Sequence, residues 1–168
     1  SGITHVVIGM SDPNPHVTGG GEGFLKARGI KVCCGVLEQQ CRELNYPFIK
    51  HSATGLPWII MKAGLSLDGK ITFHSRQGGA LTGPESKRYV HLIRNQIDAI
   101  LVGVETATID NPSLTTRLEG AGETRDPLRV VLDSSLRLPA NARMLTQNST
   151  AETWVICGEG ASIEKEAR

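Results

Sequence analysis

Short apolar runs alternate with segments of helical spacing along this chain, and this alternation constrains its fold more than any other feature. The runs are rich in β-branched residues and predict strands at 5–10, 30–37, 58–63, 99–102, 129–133 and 153–156. Between them, the apolar spacing predicts a short helix ending near Gly29, an interrupted helix over 38–51 and a longer helix beginning near Pro84. Strands joined through helices are usually parallel, so the predicted fold class is α/β on a largely parallel sheet.

The helix near Pro84 makes a more detailed prediction. Thr82 can cap it, and proline suits its first turn. Its apolar face is predicted to consist of Tyr89, Leu92, Ile93 and Ile97, which places Arg94 off that face. Elsewhere, residues 71–73 predict a brief strand, and residues 104–109 predict a polar turn.

A break in the pattern at 54–57 predicts a domain boundary. Gly55 and Pro57 interrupt the chain there, and a new apolar strand with different turn chemistry follows. With 168 residues, the chain is long enough for one ordinary domain or two partial ones. We therefore expect two parts, 1–54 and 55–168, of which the first is too small to be a whole domain.

The charge balance excludes several classes of partner. Eighteen Lys and Arg residues face seventeen Asp and Glu residues, so no global field attracts nucleic acid or an acidic membrane. Aromatic residues make up only 4% of the chain and do not alternate with basic residues, which disfavours base stacking.

The chain contains no apolar run approaching about 18 residues and no signal-peptide pattern, so we expect a soluble cytoplasmic protein without membrane partners.

Cysteine and histidine spacing argues against a disulfide framework and a metal site. The four cysteines, at 33, 34, 41 and 157, include no Cys-x-x-Cys pair. The five histidines are scattered along the chain. We predict reduced, mostly buried thiols and no metal within this chain.

Small residues and basic side chains together indicate an anion-binding site. Positions where a ligand can approach the backbone closely are Gly64, Ser66, Gly69, Gly78, Gly79 and Gly103. Donors for anionic oxygens are Lys62, Arg94 and Arg117. Because ligands of parallel sheets bind at the carboxyl ends of strands, the loops at Gly64, 103–106 and 133–134 are predicted to converge on a site for a phosphorylated metabolite.

Each of these residues also has an ordinary structural interpretation. A helical arginine such as Arg94 is more often a solvated or salt-bridged surface group, and for Arg117 the two interpretations are balanced. Lys62 either extends from a sheet edge or enters a polar pocket, and we favour the pocket. Asp110 either orients a ribose hydroxyl or starts the Asn-Pro turn, and residues alone favour the turn. The glycines at 19–23 match a dinucleotide fingerprint only weakly and predict a helix-entry loop.

Four motifs, in this order, resemble one enzyme family. They are Asp12-Pro-Asn-Pro-x-Val-x-Gly-x-Gly21, Lys62-x-Gly-x-Ser-Leu-Asp-Gly69, Asp110-x-Pro-x-Leu-Thr-x-Arg117 and Pro127-x-Arg-Val-Val-Leu-Asp-Ser134. The chain thereby resembles the bifunctional riboflavin-biosynthesis deaminase/reductases from Asp12 almost to Met144. The resemblance implies a C-terminal piece of a cytidine-deaminase-like domain followed by the N-terminal part of a dihydrofolate-reductase-like domain.

The resemblance also implies activities, cofactors and partners. In the intact enzymes, zinc-dependent deamination of a ribosylamino-pyrimidine phosphate precedes NADPH-dependent reduction of the ribosyl group of 5-amino-6-(5-phosphoribosylamino)uracil to ribityl. The zinc motifs are expected upstream of Ser1, so this chain should not deaminate by itself. The cofactor that the resemblance implies for this chain is NADPH. A homodimer is expected.

Site residues carry over from the family by position. Cofactor positions are Gly64, Ala80, Thr106, Asp110 and Ser134. Substrate positions are Gly78, Arg94, Leu114 and Arg117. Lys62 and Asp110 are the predicted catalytic residues, which would orient the sugar hydroxyls.

Two departures from the family occur in the segment 75–82. Gly78 replaces a phosphate-binding serine, and Ala80 replaces a tryptophan that packs against the cofactor. Each loss is expected to weaken binding by about 1–3 kcal/mol unless Arg76 or Gln77 compensates. The family's later glutamate and glycine-rich phosphate loop have no counterpart in this chain.

These departures favour an alternative function. In this alternative, the protein is catalytically silent and acts in oligomerisation or metabolite binding. Another NADPH reductase on the same fold is the third hypothesis.

Overall fold

The computed structural model describes residues 2–14, 16–17, 20–74, 77–120 and 122–161. The chain divides into two compact units, Ser1–Lys62 and Ala63–Arg168. The predicted residues Gly19 and Arg76 lie outside the described part of the chain. Each unit is built around its own parallel sheet, and the predicted α/β class is confirmed.

Unit 1 begins with a strand–helix–strand crossover. Strand β1 (His5–Ile8) is followed by helix α1 (Gly21–Lys26) and strand β2 (Lys31–Cys34). The two strands pair in parallel, with His5 opposite Lys31 and Ile8 opposite Cys34. The predicted parallel crossover is confirmed.

Two helices follow β2, and the predicted interruption between them is confirmed. Helix α2 (Glu38–Leu44) and helix α3 (Tyr46–Thr54) meet at Asn45, with Pro47 in the first turn of α3, where its missing N–H is not needed. Gly9 explains how α2 approaches the end of β1. A Cβ atom at Gly9 would overlap the Cys41 side chain, so only glycine allows this packing.

The prediction of mostly buried thiols is wrong. Cys33 and Cys34 are exposed on β2, and Cys41 and Cys157 are only partly buried. The sheet of unit 1 has two strands, and alternate residues of a strand point to opposite faces. Within the described residues, a two-stranded sheet leaves too little structure on either face to cover both cysteines.

The prediction of a strand at 58–63 is also wrong. This segment has no regular secondary structure, and its apolar side chains are exposed, with Met61 at 95% and Ile59 at 76%. A strand needs a hydrogen-bonded neighbour, and no described segment pairs with this one. The Trp58 ring stacks on Tyr46 with centroids 5.7 Å apart.

Residues 71–73 likewise form no strand. They follow a tight turn in which the N–H of Ser66 donates to the Lys70 carbonyl at 2.9 Å. Gly69 has φ of 78°, a conformation that glycine adopts without a Cβ penalty. The turn prediction from the Ser-Leu-Asp-Gly sequence is thereby confirmed, whereas the strand prediction is not.

Unit 2 contains the larger sheet. Its elements are helix α4 (Pro84–Gln96), strand β3 (Ala99–Gly103), helix α5 (Val104–Asp110), strand β4 (Leu128–Leu132), helix α6 (Arg143–Thr146) and strand β5 (Thr153–Ile156). The strand order is β3-β4-β5, and both pairs are parallel. All three strands were predicted from their apolar runs.

The core of unit 2 explains why the predicted turn at 104–109 is a helix. Val104 and Ala107 are one turn apart and buried in a core that also contains Val131 and Met144. Burial of this stripe stabilises the α5 helix. Asn111, which follows α5, has φ of 38°, a left-handed conformation that asparagine tolerates and that ends the helix before Pro112.

Helix α4 begins as predicted at Pro84 but is capped differently. Gly83 is its N-cap residue, and no side chain, including that of Thr82, caps it. At 13 residues, α4 is the longest described helix. Neither it nor any other helix within the described ranges has the length and apolar character needed to cross a membrane.

Parallel pairing brings the carboxyl ends of β3, β4 and β5 to one edge of the sheet. The loops after β4 and β5 touch there, because the N–H of Gly158 donates to the Ser134 carbonyl at 3.1 Å. Helix α5 starts directly from the same end of β3. Gly64 was also predicted to follow a strand and so to lie at this edge. It does not follow one, because the segment before it is not a strand.

Candidate functional site

Helix α4 directs Arg94 towards the protein rather than towards solvent. The guanidinium Nη1 of Arg94 donates to the Thr115 carbonyl at 2.6 Å, and the side chain is partly buried. Tyr89 and Leu92, which were assigned to the inward apolar face, are 64% and 37% exposed. The helix is therefore rotated relative to the prediction, and its inward face carries a charged residue.

Arg117 meets α4 at the same place. Its backbone N–H donates to His91 Nδ1 at 3.1 Å, and its guanidinium Nη1 donates to Thr115 Oγ1 at 3.2 Å. His91 and Arg94 are three residues apart on α4 and share one face. The two guanidinium groups therefore meet at Thr115, and the His91 imidazole binds the backbone of Arg117. We call His91, Arg94 and Arg117 the basic cluster.

The electrostatics of the basic cluster favour an anion. Burial lowers the pKa of His91, and the positive charges of Arg94 and Arg117 lower it further. Burial and Arg117 also lower the pKa of Arg94, against an opposing effect of the Asp126 carboxylate. Arginine nevertheless keeps its charge in proteins. Besides burial, the charge of Arg117 lowers the pKa of both His91 and Arg94, so positive charges lie close together here, and a bound phosphate would relieve their repulsion.

A partly buried hydrogen-bond network supports the loop that carries Thr115 and Arg117. The N–H of Thr116 donates to Asp126 Oδ1 at 2.7 Å, and Ser149 Oγ donates to Asp126 Oδ2 at 2.8 Å. Arg129, which is 3% exposed on β4, donates to Ser149 Oγ at 3.0 Å and to Thr153 Oγ1 at 2.7 Å. The loop is thus fastened to β4 and β5 by hydrogen bonds that water cannot easily replace.

Leu114 lies within this loop, but its side chain belongs to the hydrophobic core. It is 6% exposed and packs with the core residues of α5 and β4. Its φ of 54° is unusual for leucine and costs about 1–2 kcal/mol. Only the main-chain groups of Leu114 are therefore available to a ligand.

A second group of predicted residues lines an open depression of about 580 Å³. Its lining consists of Gly78, Gly79, Ala80, Ile109 and Asp110. A Cβ atom at Gly78 would overlap Asp110 Oδ1, so glycine lets the 77–80 segment lie directly against this carboxylate. Gln77 is exposed, and its N–H donates to the His74 carbonyl at 3.2 Å.

Asp110 ends α5 rather than starting the following turn through its own side chain. Within the described residues no hydrogen bond to its carboxylate is found, whereas Asn111 Oδ1 accepts the N–H of Arg143 at 2.8 Å. Thr106, one turn before Asp110 on α5, is exposed on the same side of the helix. The Asp110 carboxylate is therefore an available acceptor beside the depression.

The remaining predicted residues lie apart from these two groups. Ser134 is exposed just past β4, at the carboxyl edge of the sheet. Gly64 is partly buried near the start of unit 2. Lys62 is the last residue of unit 1 and is exposed, so the predicted pocket around it is not seen within that unit.

Sequence reasoning missed four residues of the site: His91, Thr115, Asp126 and Arg129. Two of them had a usable signal. His91 lies at helical spacing from Arg94, and Arg129 is a cation within an otherwise apolar strand, where a charge must find partners. Thr115 bonds to Arg94, 21 positions earlier, and Asp126 bonds to Thr116, 10 positions earlier. A local sequence pattern cannot indicate contacts at such separations.

Comparison with known proteins adds a family to this geometry. The RibD C-terminal domain family matches residues 57–168, two thirds of the chain. The chain belongs to this family. The riboflavin biosynthesis protein RibD of Bacillus amyloliquefaciens is 40% identical over 168 residues, which are 100% of this chain and 44% of that protein. The Escherichia coli K12 RibD is 37% identical over 92% of this chain and 44% of its own length.

Solved structures agree with the sequence relatives. The Thermotoga maritima diaminohydroxyphosphoribosylaminopyrimidine deaminase/5-amino-6-(5-phosphoribosylamino)uracil reductase has a TM-score of 0.83 and 37% identity, over 96% of this chain and 45% of that one. Acinetobacter baumannii RibD, form 1, has a TM-score of 0.80 and 31% identity, over 98% of this chain and 46% of that one. The chain thus spans less than half the length of these relatives.

Proposed function

We propose that this chain is part of a riboflavin-biosynthesis enzyme that reduces the ribosyl group of 5-amino-6-(5-phosphoribosylamino)uracil to ribityl with NADPH. The basic cluster is the observation that carries the proposal, because it brings Arg94 and Arg117 together at Thr115 and joins His91 to the backbone of Arg117. A phosphorylated sugar supplies the dianion that such a cluster would neutralise. The names of the sequence and structural relatives support the same substrate class.

The proposal includes a division of the chain into two functional parts. Residues 1–54 would be the end of a cytidine-deaminase-like domain, and residues 55–168 the first part of a dihydrofolate-reductase-like domain. The change of unit after Lys62 and the family match from residue 57 support a boundary near this region. The deaminase zinc ligands would belong to the portion of the relatives that this chain does not span.

The depression at Gly78–Ala80 is proposed to receive NADPH. Its volume of about 580 Å³ falls within the usual range for small-molecule sites. Its three small residues leave room for a flat ring, and the Asp110 carboxylate can accept a ribose hydroxyl. Thr106, one turn before Asp110 on α5, adds an exposed hydroxyl donor. Ser134 lies apart from the depression, at the carboxyl edge of the sheet, and its cofactor role is proposed from the family position alone. When bound, NADPH would supply the hydride.

In this mechanism, the chain's own residues bind and orient the substrate. Arg94 and Arg117 would hold its phosphate, with the main chain at Leu114 in support. Gly78 would let the substrate pass close to the backbone. Asp110 would orient the sugar hydroxyls, so that the reacting carbon faces the cofactor. The same role for Lys62 stays a prediction from the family resemblance.

Arginine substitution tests the phosphate role. Arg94→Ala and Arg117→Ala each remove a charged donor, a loss of about 1.5–3 kcal/mol, and should weaken the binding of ribose 5-phosphate by roughly ten- to a hundredfold. NADPH binding should change little. Isothermal titration calorimetry of the whole chain measures both affinities. Arg88→Ala, on the exposed side of α4, is the matched control. Equal losses for both ligands would remove the arginines from the phosphate role.

A second candidate is a protein that binds metabolites or associates with itself without turnover. The β3–β5 sheet favours this candidate through one exposed apolar face, where Leu101, Trp154 and Ile156 are 58%, 52% and 48% exposed. Parallel sheets normally have both faces covered. A homodimer by analytical ultracentrifugation without NADPH oxidation would support it. Turnover of dihydrofolate instead would favour a different NADPH reductase.

A further inference from the structure

His91 is the member of the basic cluster that neither the motifs nor the family resemblance assigned. It lies on the inward face of α4, three residues before Arg94, and its ring is partly buried. Its Nδ1 accepts the backbone N–H of Arg117 at 3.1 Å. This is a contact between elements 26 residues apart, and it joins the helix to the loop that carries the second arginine.

The direction of this hydrogen bond determines the protonation state of His91. A backbone N–H can only donate, so Nδ1 carries a lone pair and the ring proton lies on Nε2. Burial and the positive charges of Arg94 and Arg117 lower the pKa of His91 and so favour this neutral form. The charged groups around the ring are the following. Arg94 and Arg117 face the imidazole, Lys87 and Arg88 lie one turn earlier on α4, and Asp126 acts on Arg94 from its loop.

We propose that His91 is a positioning residue, whose neutral imidazole anchors the main chain of Arg117 and thereby holds its guanidinium for an anion. The inference rests on the proposed anion site. Thr115 shows why the anchor matters, because it accepts one hydrogen bond from each arginine. Without the hydrogen bond to His91, the backbone of Arg117 can move. The distance between the guanidinium groups of Arg94 and Arg117 is then no longer fixed.

A direct ligand role for His91 makes the opposite prediction. Protonation would destroy the acceptor at Nδ1 and release Arg117, which weakens anion binding if His91 only positions. Protonation would also add a third positive charge beside the two arginines, which strengthens anion binding if the ring itself contacts the ligand. The sign of the pH dependence therefore separates the two roles.

The test is sulfate binding to the whole chain, measured by calorimetry between pH 8 and pH 5.5. Sulfate remains a dianion throughout this range, so its own charge does not change. Two variants test whether an acceptor at the position of Nδ1 is sufficient. In His91→Asn the side-chain amide oxygen can take the place of Nδ1. In His91→Gln this oxygen lies one bond further from the backbone. Heteronuclear NMR of the Arg117 amide reports the anchor directly.

If His91 is a positioning residue, the sulfate affinity of the wild type is constant above pH 7 and falls about fivefold as His91 becomes protonated. This fall corresponds to the loss of one ordinary hydrogen bond. His91→Asn should keep wild-type affinity within about twofold and lose the pH dependence, while His91→Gln should be weak at every pH. Equal behaviour of the two variants, or a wild-type affinity that rises on acidification, would overturn the proposal. Absence of sulfate binding by the wild type at every pH would instead reject the anion site itself. Even if a variant does not fold, the pH profile of the wild type distinguishes the positioning role of His91 from a direct ligand role.

Discussion

Replacing Arg129 by methionine should destabilise unit 2 more than any exposed arginine replacement. Arg129 is 3% exposed and donates to Thr153 Oγ1 at 2.7 Å, to Ser149 Oγ at 3.0 Å and to the Ala151 carbonyl. Methionine fills a similar volume but donates nothing. The three acceptors would lose this charged donor, although Ser149 and Thr153 keep their other hydrogen bonds.

The magnitude follows from two opposing contributions. Hydrogen bonds to a charged donor contribute about 1.5–3 kcal/mol each, so the three together amount to roughly 5–9 kcal/mol. Removing the guanidinium also removes the cost of burying its charge, which is several kcal/mol. The expected net loss in the free energy of unfolding is about 3 kcal/mol. Arg125→Met is the matched control, because Arg125 pairs on the surface with Asp98, which is 99% exposed, and should cost less than about 1 kcal/mol.

Urea unfolding followed by Trp154 fluorescence measures this loss. Trp154 follows the Arg129 contact Thr153 on β5, and a Trp58→Phe background removes the other tryptophan signal. The m-value shows whether the transition remains comparable between variants. A loss in Arg129→Met no larger than in Arg125→Met would refute the idea that this network holds the loop.

Three further outcomes are expected. Ala80→Trp should add an aromatic wall to the depression and tighten NADPH binding by about tenfold in a fluorescence titration, and unchanged affinity would place NADPH elsewhere. Leu114→Gly should be about 1 kcal/mol more stable than Leu114→Ala in urea unfolding, the reverse of the usual order, because φ at this position is 54°. Since the pKa of His91 is lowered in the folded state, its contribution to stability is complete above pH 6.5 and is lost as the pH falls through the folded-state pKa. Urea unfolding at pH 8 and pH 5.5 should show this loss in the wild type and a smaller one in His91→Asn.

The larger sheet and its helix α4 were predictable because their signals are local. The apolar runs at 99–102 and 153–156 and the start at Pro84 appear as strands and a helix in the structure. The failed strand at 58–63 shows the limit of such signals. An apolar run predicts that a segment is suited to pairing, but pairing itself needs a neighbour, and none of the described segments supplies one.

Residues of the site were predictable only where a motif carried them. Arg94 and Arg117 were named from the sequence, yet the rotation of α4 that buries Arg94 depends on the Thr115 carbonyl, 21 residues away. Leu114 was named for the same reason, but burial limits it to main-chain contacts. The α5 helix was missed because its stripe of Val104 and Ala107 is too short to be recognised without the sheet on which it packs.

The most direct test of the account is a two-ligand NMR titration of the whole ¹⁵N-labelled chain, with NADPH and then with ribose 5-phosphate. NADPH is predicted to shift amides around Gly78–Ala80 and Asp110, and ribose 5-phosphate to shift amides around His91 and Arg117. Two separate, saturable sets of shifts would support a cofactor depression and an anion site in one reductase unit. Shifts outside both groups, or none with either ligand, would contradict the assignment.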